Sequence, residues 1–129
     1  EGTWKFTGYK IGGVDHNHDF DTFLSPKTLL DCEISFHSFN KLKGWYELKS
    51  EDGGSVPTLN ISSEIAQYLF TDNYDNIYIA GDTSDFYKVL WKGSLSGYNS
   101  YTAKYKIMEL HSSSLHLRTG NLDIYLKKK

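Results

Sequence analysis

The chain has 129 residues, a length that predicts one domain over residues 1–129. With 16% aromatic residues and two prolines the composition argues against disorder, and no apolar run reaches the roughly 18 residues of a membrane-spanning helix. The net charge is −2, and the single Cys32 excludes an intramolecular disulfide framework and any metal site built from several cysteines.

The charge is unevenly distributed. Residues 1–85 carry 14 acidic and 6 basic side chains, whereas residues 86–129 carry 2 acidic and 8 basic ones. A basic segment can indicate an anionic partner, but Lys104 and Lys106 alternate with Tyr105 and Ile107, as on the solvent-facing side of a strand. No glycine-rich phosphate loop or aromatic RNA-binding signature accompanies them, so we expect no nucleic-acid partner. The terminal run Lys127–Lys129 reads as a frayed basic end.

The first predicted strand is Thr3–Ile11, with Trp4, Phe6 and Gly8 on one face and Tyr9 and Ile11 on the other. Gly12-Gly13 ends it. Residues 14–31 then form a long polar connection. A connection of this length usually has a function or covers an open end of the fold.

His16 and His18 are the candidate metal ligands of this connection. In an extended segment, side chains two residues apart point the same way, so both imidazoles could reach one cation. A calcium-loop interpretation fails, because Phe20 and Pro26 occupy positions that need Gly and Glu. A third ligand would have to come from elsewhere, and a hydrated polar loop is the favoured alternative.

Residues 32–48 predict a β-hairpin. Cys32, Ile34 and Phe36 share one face, Asn40-Lys41 make a tight turn, and the chain returns over 42–48. Cys32 lies between two acids on an apolar face, so we expect a small core side chain and no reactive thiolate. Trp45 and Tyr46 are adjacent and must face opposite sides of their strand.

The middle of the chain contains the one clear helix. Asp82–Lys92 carries Phe86, Val89 and Leu90 on a single apolar stripe, and Gly93 suits the left-handed residue that ends a helix. Short strands are predicted over Thr58–Ser62 and Asn76–Ala80. The segment 63–74 is ambiguous and fits one or two helical turns.

The last thirty residues predict a three-strand meander over 101–108, 115–118 and 122–126. The fold class is therefore mainly β with one helix near residues 82–92. We expect a strongly curved antiparallel sheet or small barrel of seven or eight strands, since curling or closure protects sheet edges.

Candidate ligand-binding residues come from the surplus of Tyr and Trp. Exposed aromatic rings can stack on sugars or anchor a protein partner, and Trp45, Tyr46 and Trp91 are the residues that we predict in this role. No catalytic grouping accompanies them: in 93–97, Leu95 stands where a nucleophile elbow needs Ser. We therefore expect neither an enzyme nor a cofactor.

The order of these motifs resembles the META domain family, in the divergent form found in surface lipoproteins of Bacteroidetes. The resemblance is carried by segments that match the family's opening strand, strand and Gly-x-Tyr hairpin, helix and closing meander: 2–5, 34–46, 86–90 and 105–126. The chain departs from better-known members at Phe39, which precedes Asn40 where they have Cys. The opening Gly-x-Trp also resembles lipocalins, but these lack a helix before the last three strands.

The META resemblance implies a non-catalytic, exported module of the periplasm, outer membrane or cell surface. It also implies a lipid-bearing Cys before Glu1 as the only membrane attachment. We expect this module to bind a protein or a glycan through exposed aromatics. The alternative is a lipocalin-like barrel whose cavity holds a small apolar ligand, and a hydrolase is the third interpretation. The sequence predicts no oligomeric state.

Overall fold

The computed structural model describes residues 2–24, 28–50, 66–82, 85–92, 94–95 and 100–129. Its strands are β1 Gly2–Ile11, β2 Val14–Asp15, β3 Cys32–Ser38, β4 Lys43–Ser50, β5 Gln67–Phe70, β6 Asn76–Asp82, β7 Ser94–Leu95, β8 Ser100–Leu110, β9 Ser114–Thr119 and β10 Leu122–Lys128. Helix α1 is Asp21–Leu24, α2 is Asp85–Trp91, and Leu29–Asp31 form a 3₁₀ turn. None of these described helices is long and apolar enough to cross a membrane.

Eight of the strands close into an antiparallel barrel in the order β1-β3-β4-β5-β6-β8-β9-β10, and β10 pairs back with β1. The two-residue strands β2 and β7 pair with β1 and β8. The predicted mainly-β fold with one helix near residues 82–92 is thus confirmed, and closure removes the unpaired edges that an open sheet would expose.

The two ends of the barrel differ. Because neighbouring strands are antiparallel, the turns 39–42, 71–75 and 111–113 lie at one end, together with both termini. The described segments 16–24, 28–31 and 85–92 lie at the other end, beside the tight turn at Gly120-Asn121. Helix α2 and the described part of the connection after β2 therefore cover this second end.

Aromatic side chains fill the interior, among them the fully buried Trp91, Tyr9, Tyr46, Tyr87 and Tyr105. The Trp91 indole packs edge-on against Tyr46 of β4 and Tyr105 of β8, with ring centroids 5.9 Å apart in both pairs. Strands β4 and β8 are separated in the barrel by β5 and β6, so α2 inserts Trp91 between facing walls.

Two tyrosines satisfy the last carbonyls of α2, which have no partner within the helix. The Tyr9 hydroxyl donates to the Val89 carbonyl oxygen at 3.0 Å, and the Tyr105 hydroxyl donates to the carbonyl of Trp91. Burial raises the pKa of both phenols, with Asp19 adding to the effect at Tyr9, so both hydroxyls keep the proton that they donate. The helix end is thereby anchored to β1 and β8.

The connection that follows β2 covers the same end, as its length predicts. Phe20, Leu24 and Leu29 are fully buried, and Phe20 packs edge-on against Tyr9 at 4.9 Å between centroids. Although residues 14–31 are mostly polar, they contribute these three apolar side chains to the core.

Several local predictions need correction. A register shift between Phe6 and Gly8 bulges β1 at Thr7, so Tyr9 points into the core and not to the side of Lys5. Residues 67–70 form β5 instead of helical turns, because they pair between β4 and β6.

The ends of two other predicted segments also differ. The C-terminus is held in place, since Lys129 Nζ lies 2.8 Å from Glu33 Oε2 and its backbone nitrogen donates to Thr3. Lys92 takes the left-handed conformation after α2, with φ 51°, one residue before the expected Gly93. Gly93 and the predicted strand Thr58–Ser62 lie outside the described residues.

Candidate functional site

Two of the three aromatics predicted to bind a ligand belong to the core. Tyr46 and Trp91 are 0% and 1% exposed, so the prediction that they present their rings to a ligand is wrong. The Tyr46 hydroxyl donates to the Ala80 carbonyl at 2.9 Å. Trp91 lies on the face of α2 that enters the barrel, where its ring packs against Tyr46 and Tyr105.

Trp45 lies on the outer wall, as its alternation with Tyr46 requires. Its ring is half-buried because it stacks on His37 of β3, with centroids 4.2 Å apart and planes 19° apart. One face of the indole is therefore covered by the imidazole. Trp45 is the member of the predicted trio that remains available at the surface.

The predicted metal pair does not form as expected. Residues 17–20 make consecutive turns, so the extended geometry that would align His16 with His18 is absent. His16 Nδ1 lies 2.9 Å from Asp19 Oδ2, and His18 Nδ1 lies 3.0 Å from Asp21 Oδ2. Across the described part of the chain, no three His, Cys, Asp or Glu side chains gather where they could hold a metal ion.

The outer wall made by β1, β10 and β9 carries a polar cluster that was not among the predicted sites. Tyr125 and His116 are cross-strand partners and stack at 4.2 Å between centroids, with 21° between the ring planes. Gly8 lies opposite Tyr125 on β1, and a Cβ there would be 3.2 Å from the ring. Lys10 Nζ lies 5.4 Å from the Tyr125 centroid, within cation–π range.

Asp123 holds this cluster together. The residue is 6% exposed, and Arg118 Nε and His116 Nε2 both donate to its Oδ1 at 2.7 Å. Burial raises the pKa of the Asp123 carboxyl, but the hydrogen bonds and charges of Arg118 and His116 outweigh burial and hold that pKa below its ordinary value. The carboxylate is therefore ionised at neutral pH and orients both neighbours.

A depression of about 350 Å³ lies beside this cluster, which is within the size range of small-ligand sites. Its side chains come from Lys10, Arg118, Asn121, Asp123 and Tyr125, and its remaining lining is backbone at Gly12, Gly13 and Gly120. These glycines have φ of 60°, 82° and 57°, which L side chains rarely adopt, so the turns stay free of side chains.

A second depression of about 400 Å³ lies on the other side of the Gly120-Asn121 turn. Ile11, Lys92, Thr119 and Leu122 line it together with the turn itself. The two depressions thus share Gly120 and Asn121 as a common ridge.

The sequence contained a signal for this cluster. A hairpin turning at Gly120-Asn121 pairs positions that are equally distant from the turn, which places Tyr125 opposite His116 and Asp123 opposite Arg118. All four residues alternate with inward-facing apolar residues, so they share the outer face. Lys10 could not be added in this way, because the β1–β10 pairing joins the two ends of the chain.

Comparisons with known proteins support the fold alone. Neither protein-family models nor curated proteins give a match. The chain is similar to an uncharacterized protein from Bacteroides eggerthii DSM 20697 whose crystal structure is known, with a TM-score of 0.51 and 14% sequence identity. The likeness covers 99% of this chain and 98% of that one, so the arrangement of strands is shared from end to end.

Proposed function

We propose that this protein is a non-catalytic binding module that holds a glycan in the depression beside Tyr125. The observation that supports this proposal is an aromatic ring at the edge of a depression that also offers amide, guanidinium and ammonium groups. Sugars present apolar C–H groups and many hydroxyls. The part of the Tyr125 ring that lines the depression, with several hydrogen-bonding groups around it, can contact both.

Binding fits this cluster better than catalysis does. An acid–base residue needs a pKa near the working pH, whereas the hydrogen bonds to Asp123 move its pKa away from neutrality. Both donors to Asp123 engage the same oxygen, which positions Arg118 and His116 as parts of a rigid surface.

A surface site also agrees with the buried aromatic rings better than an internal one does. The apolar-ligand alternative requires an enclosed cavity, whereas Trp91, Tyr46, Tyr105 and Tyr9 place their rings inside the described part of the barrel. These rings favour the surface site.

The proposed function is tested with Tyr125→Ala in a screen of neutral and acidic oligosaccharides, followed by titration calorimetry of the best ligand. Loss of the Tyr125 ring from the lining should weaken binding about tenfold. Trp45→Ala is the matched control, because Trp45 is also an outer-wall ring stacked on a histidine but does not line the depression. Unchanged affinity in Tyr125→Ala, or an equal loss in both variants, would contradict the proposal.

The META resemblance adds export to the proposal: the precursor carries a lipid anchor and places this domain at the cell envelope. Expression of the full-length precursor followed by membrane fractionation and protease treatment of intact cells tests this location. Recovery of the protein in the cytoplasmic fraction would count against it.

A further inference from the structure

We propose that the glycan held at this site is acidic, and that it crosses the Gly120-Asn121 ridge so that its carboxylate or sulfate groups meet cations on both sides. This inference rests on the proposed function and specifies its ligand class. It starts from the charged residues of the two depressions, which are three cations, Lys10, Arg118 and Lys92, and one carboxylate, Asp123.

The single carboxylate is already compensated within the protein. Asp123 is buried and accepts hydrogen bonds from Arg118 and His116, so it offers little negative charge to the surface. Arg118 uses Nε for this bond, and a guanidinium has five N–H donors. Its terminal nitrogens therefore remain for a planar anion such as a carboxylate, which a guanidinium can bind through two hydrogen bonds.

Lys10 supplies the second cation of the first depression. Within the part of the chain that the structure describes, its ammonium has no ion pair and lies over the face of Tyr125. Asp15 is its cross-strand neighbour on β2, and its Oδ1 accepts a hydrogen bond from the Asn17 backbone at 2.7 Å, but among the described residues its carboxylate forms no ion pair with Lys10. An anionic group bound beside Tyr125 would thus lie near both Lys10 and Arg118.

Lys92 carries the same charge to the far side of the ridge. It follows α2 directly, its side chain is exposed, and its left-handed φ of 51° turns the chain at the rim of the second depression. Positive charges on both sides of one ridge favour a ligand with repeated negative charges over a single small anion. An acidic oligosaccharide has that repeat.

The inference is tested with two ligands that share one sugar backbone, an oligogalacturonate and its neutral methyl ester. A sulfated carrageenan oligosaccharide serves as a second acidic ligand. Calorimetry at two salt concentrations should give at least tenfold tighter binding of the acidic ligands than of the ester at low salt. This difference in affinity should shrink at high salt.

The variants Lys10→Gln and Lys92→Gln should each weaken binding of the acidic ligands about threefold. Lys104→Gln, an exposed lysine on β8 outside both depressions, controls for total charge.

The outcomes separate this inference from the proposed function. Equal binding of the ester, with loss in Tyr125→Ala, would keep a glycan site and overturn its acidic specificity. An affinity for the acidic ligands that is unchanged in Tyr125→Ala would retain the preference for anions and overturn the glycan proposal. The inference would be overturned if Lys104→Gln weakened binding as much as Lys10→Gln and Lys92→Gln do. It would also be overturned if a DNA oligonucleotide of the same charge bound as tightly as the acidic oligosaccharides, because either result would indicate non-specific charge attraction. Absence of binding to every oligosaccharide would overturn both proposals.

Discussion

Asp123 has an environment that differs from the one expected on the solvent-facing side of a strand. Its alternation with Leu122 and Ile124 points it outward, yet the neighbouring side chains cover it to 6% exposure. An ionised group at such a position is stable only when it is paired and hydrogen-bonded, and Arg118 and His116 provide both. The same contacts make it a determinant of stability and of the site's shape.

Replacing Asp123 with Asn should lower the free energy of unfolding by about 2 kcal/mol at neutral pH, because charge-assisted hydrogen bonds are lost. The folded-state pKa of Asp123 is depressed, so its stabilisation is complete above the ordinary aspartate pKa and is lost as pH falls through the lower folded-state value. Urea unfolding from pH 7 to pH 2 should therefore show the smallest difference between wild type and Asp123→Asn at the acidic end.

The exposed Asp72→Asn variant is the control for this experiment and should stay within about 0.5 kcal/mol of wild type at neutral pH. A constant gap between Asp123→Asn and wild type over the whole pH range would show that the pairing of the carboxylate is not the cause.

At the scale of elements, α2 is a short helix that owes its position to the barrel. Seven residues are too few to form a stable helix alone in water, so tertiary contacts must hold it. Those contacts are the insertion of Trp91 between Tyr46 and Tyr105 and the hydroxyl groups that bind its final carbonyls. The apolar stripe of the sequence thus predicts the helix, while the tyrosines of distant strands complete it.

Tyr9→Phe and Tyr105→Phe should each cost about 1–3 kcal/mol of stability, because each leaves a buried helix carbonyl without its donor while preserving the ring. Chemical denaturation measures the loss, and hydrogen exchange of α2 should increase more than that of β3 and β4.

Tyr125→Phe is the matched control for the two core substitutions. It removes a hydroxyl from the outer wall, where water can replace any lost hydrogen bond, so it should change stability by less than about 0.5 kcal/mol. Core variants as stable as Tyr125→Phe would show that the hydroxyl–carbonyl bonds contribute nothing measurable.

At the scale of the whole molecule, closure joins the first strand to the last. Cross-strand partners run from Trp4–Lys128 to Ile11–Leu122, interrupted by the bulge at Thr7. The same seam brings Lys10 to the cluster that β9 and β10 form. The pairing of β1 with β10 therefore both closes the barrel and completes the candidate site.

Hydrogen exchange should report this closure directly. The hydrogen-bonded amides of β1 and β10 should open with the same free energy as those of β3 and β4, because a closed barrel has no fraying edge pair at the seam. Native-state exchange measured by NMR across a denaturant series gives these values. A distinctly lower opening free energy confined to β1 and β10 would contradict closure in solution.

Much of the fold was predictable because the strands can be recognised from the local alternation of apolar and polar residues. The closing meander, the hairpin at Asn40-Lys41 and the helix near residues 82–92 follow from periods of two and 3.6 residues, and the structure confirms them. The bulge at Thr7 was not predictable, since it depends on how β1 meets β10 across the whole length of the chain. For the same reason the position of Tyr9 was predicted on the wrong face.

The candidate site was predictable only in part. Alternation separates Trp45 from Tyr46 correctly, but which face is the interior depends on closure of the sheet, and Trp91 was misplaced because its helix packs into the barrel end. The pairing of His16 and His18 failed because the chain turns where an extended segment was assumed.

By itself, the sequence determined the fold class of this protein. Its alternation of apolar and polar residues and its single amphipathic helix predict a mostly β fold, because these patterns depend only on residues close together in the chain. Only the tertiary structure decided that the strands close into a barrel and that Tyr46 and Trp91 are buried inside it. It also decided that Lys10, Arg118 and Tyr125 line one depression on the outer wall. The closure and the approach of Lys10 to Tyr125 depend on pairing between residues more than a hundred positions apart, which no local pattern specifies.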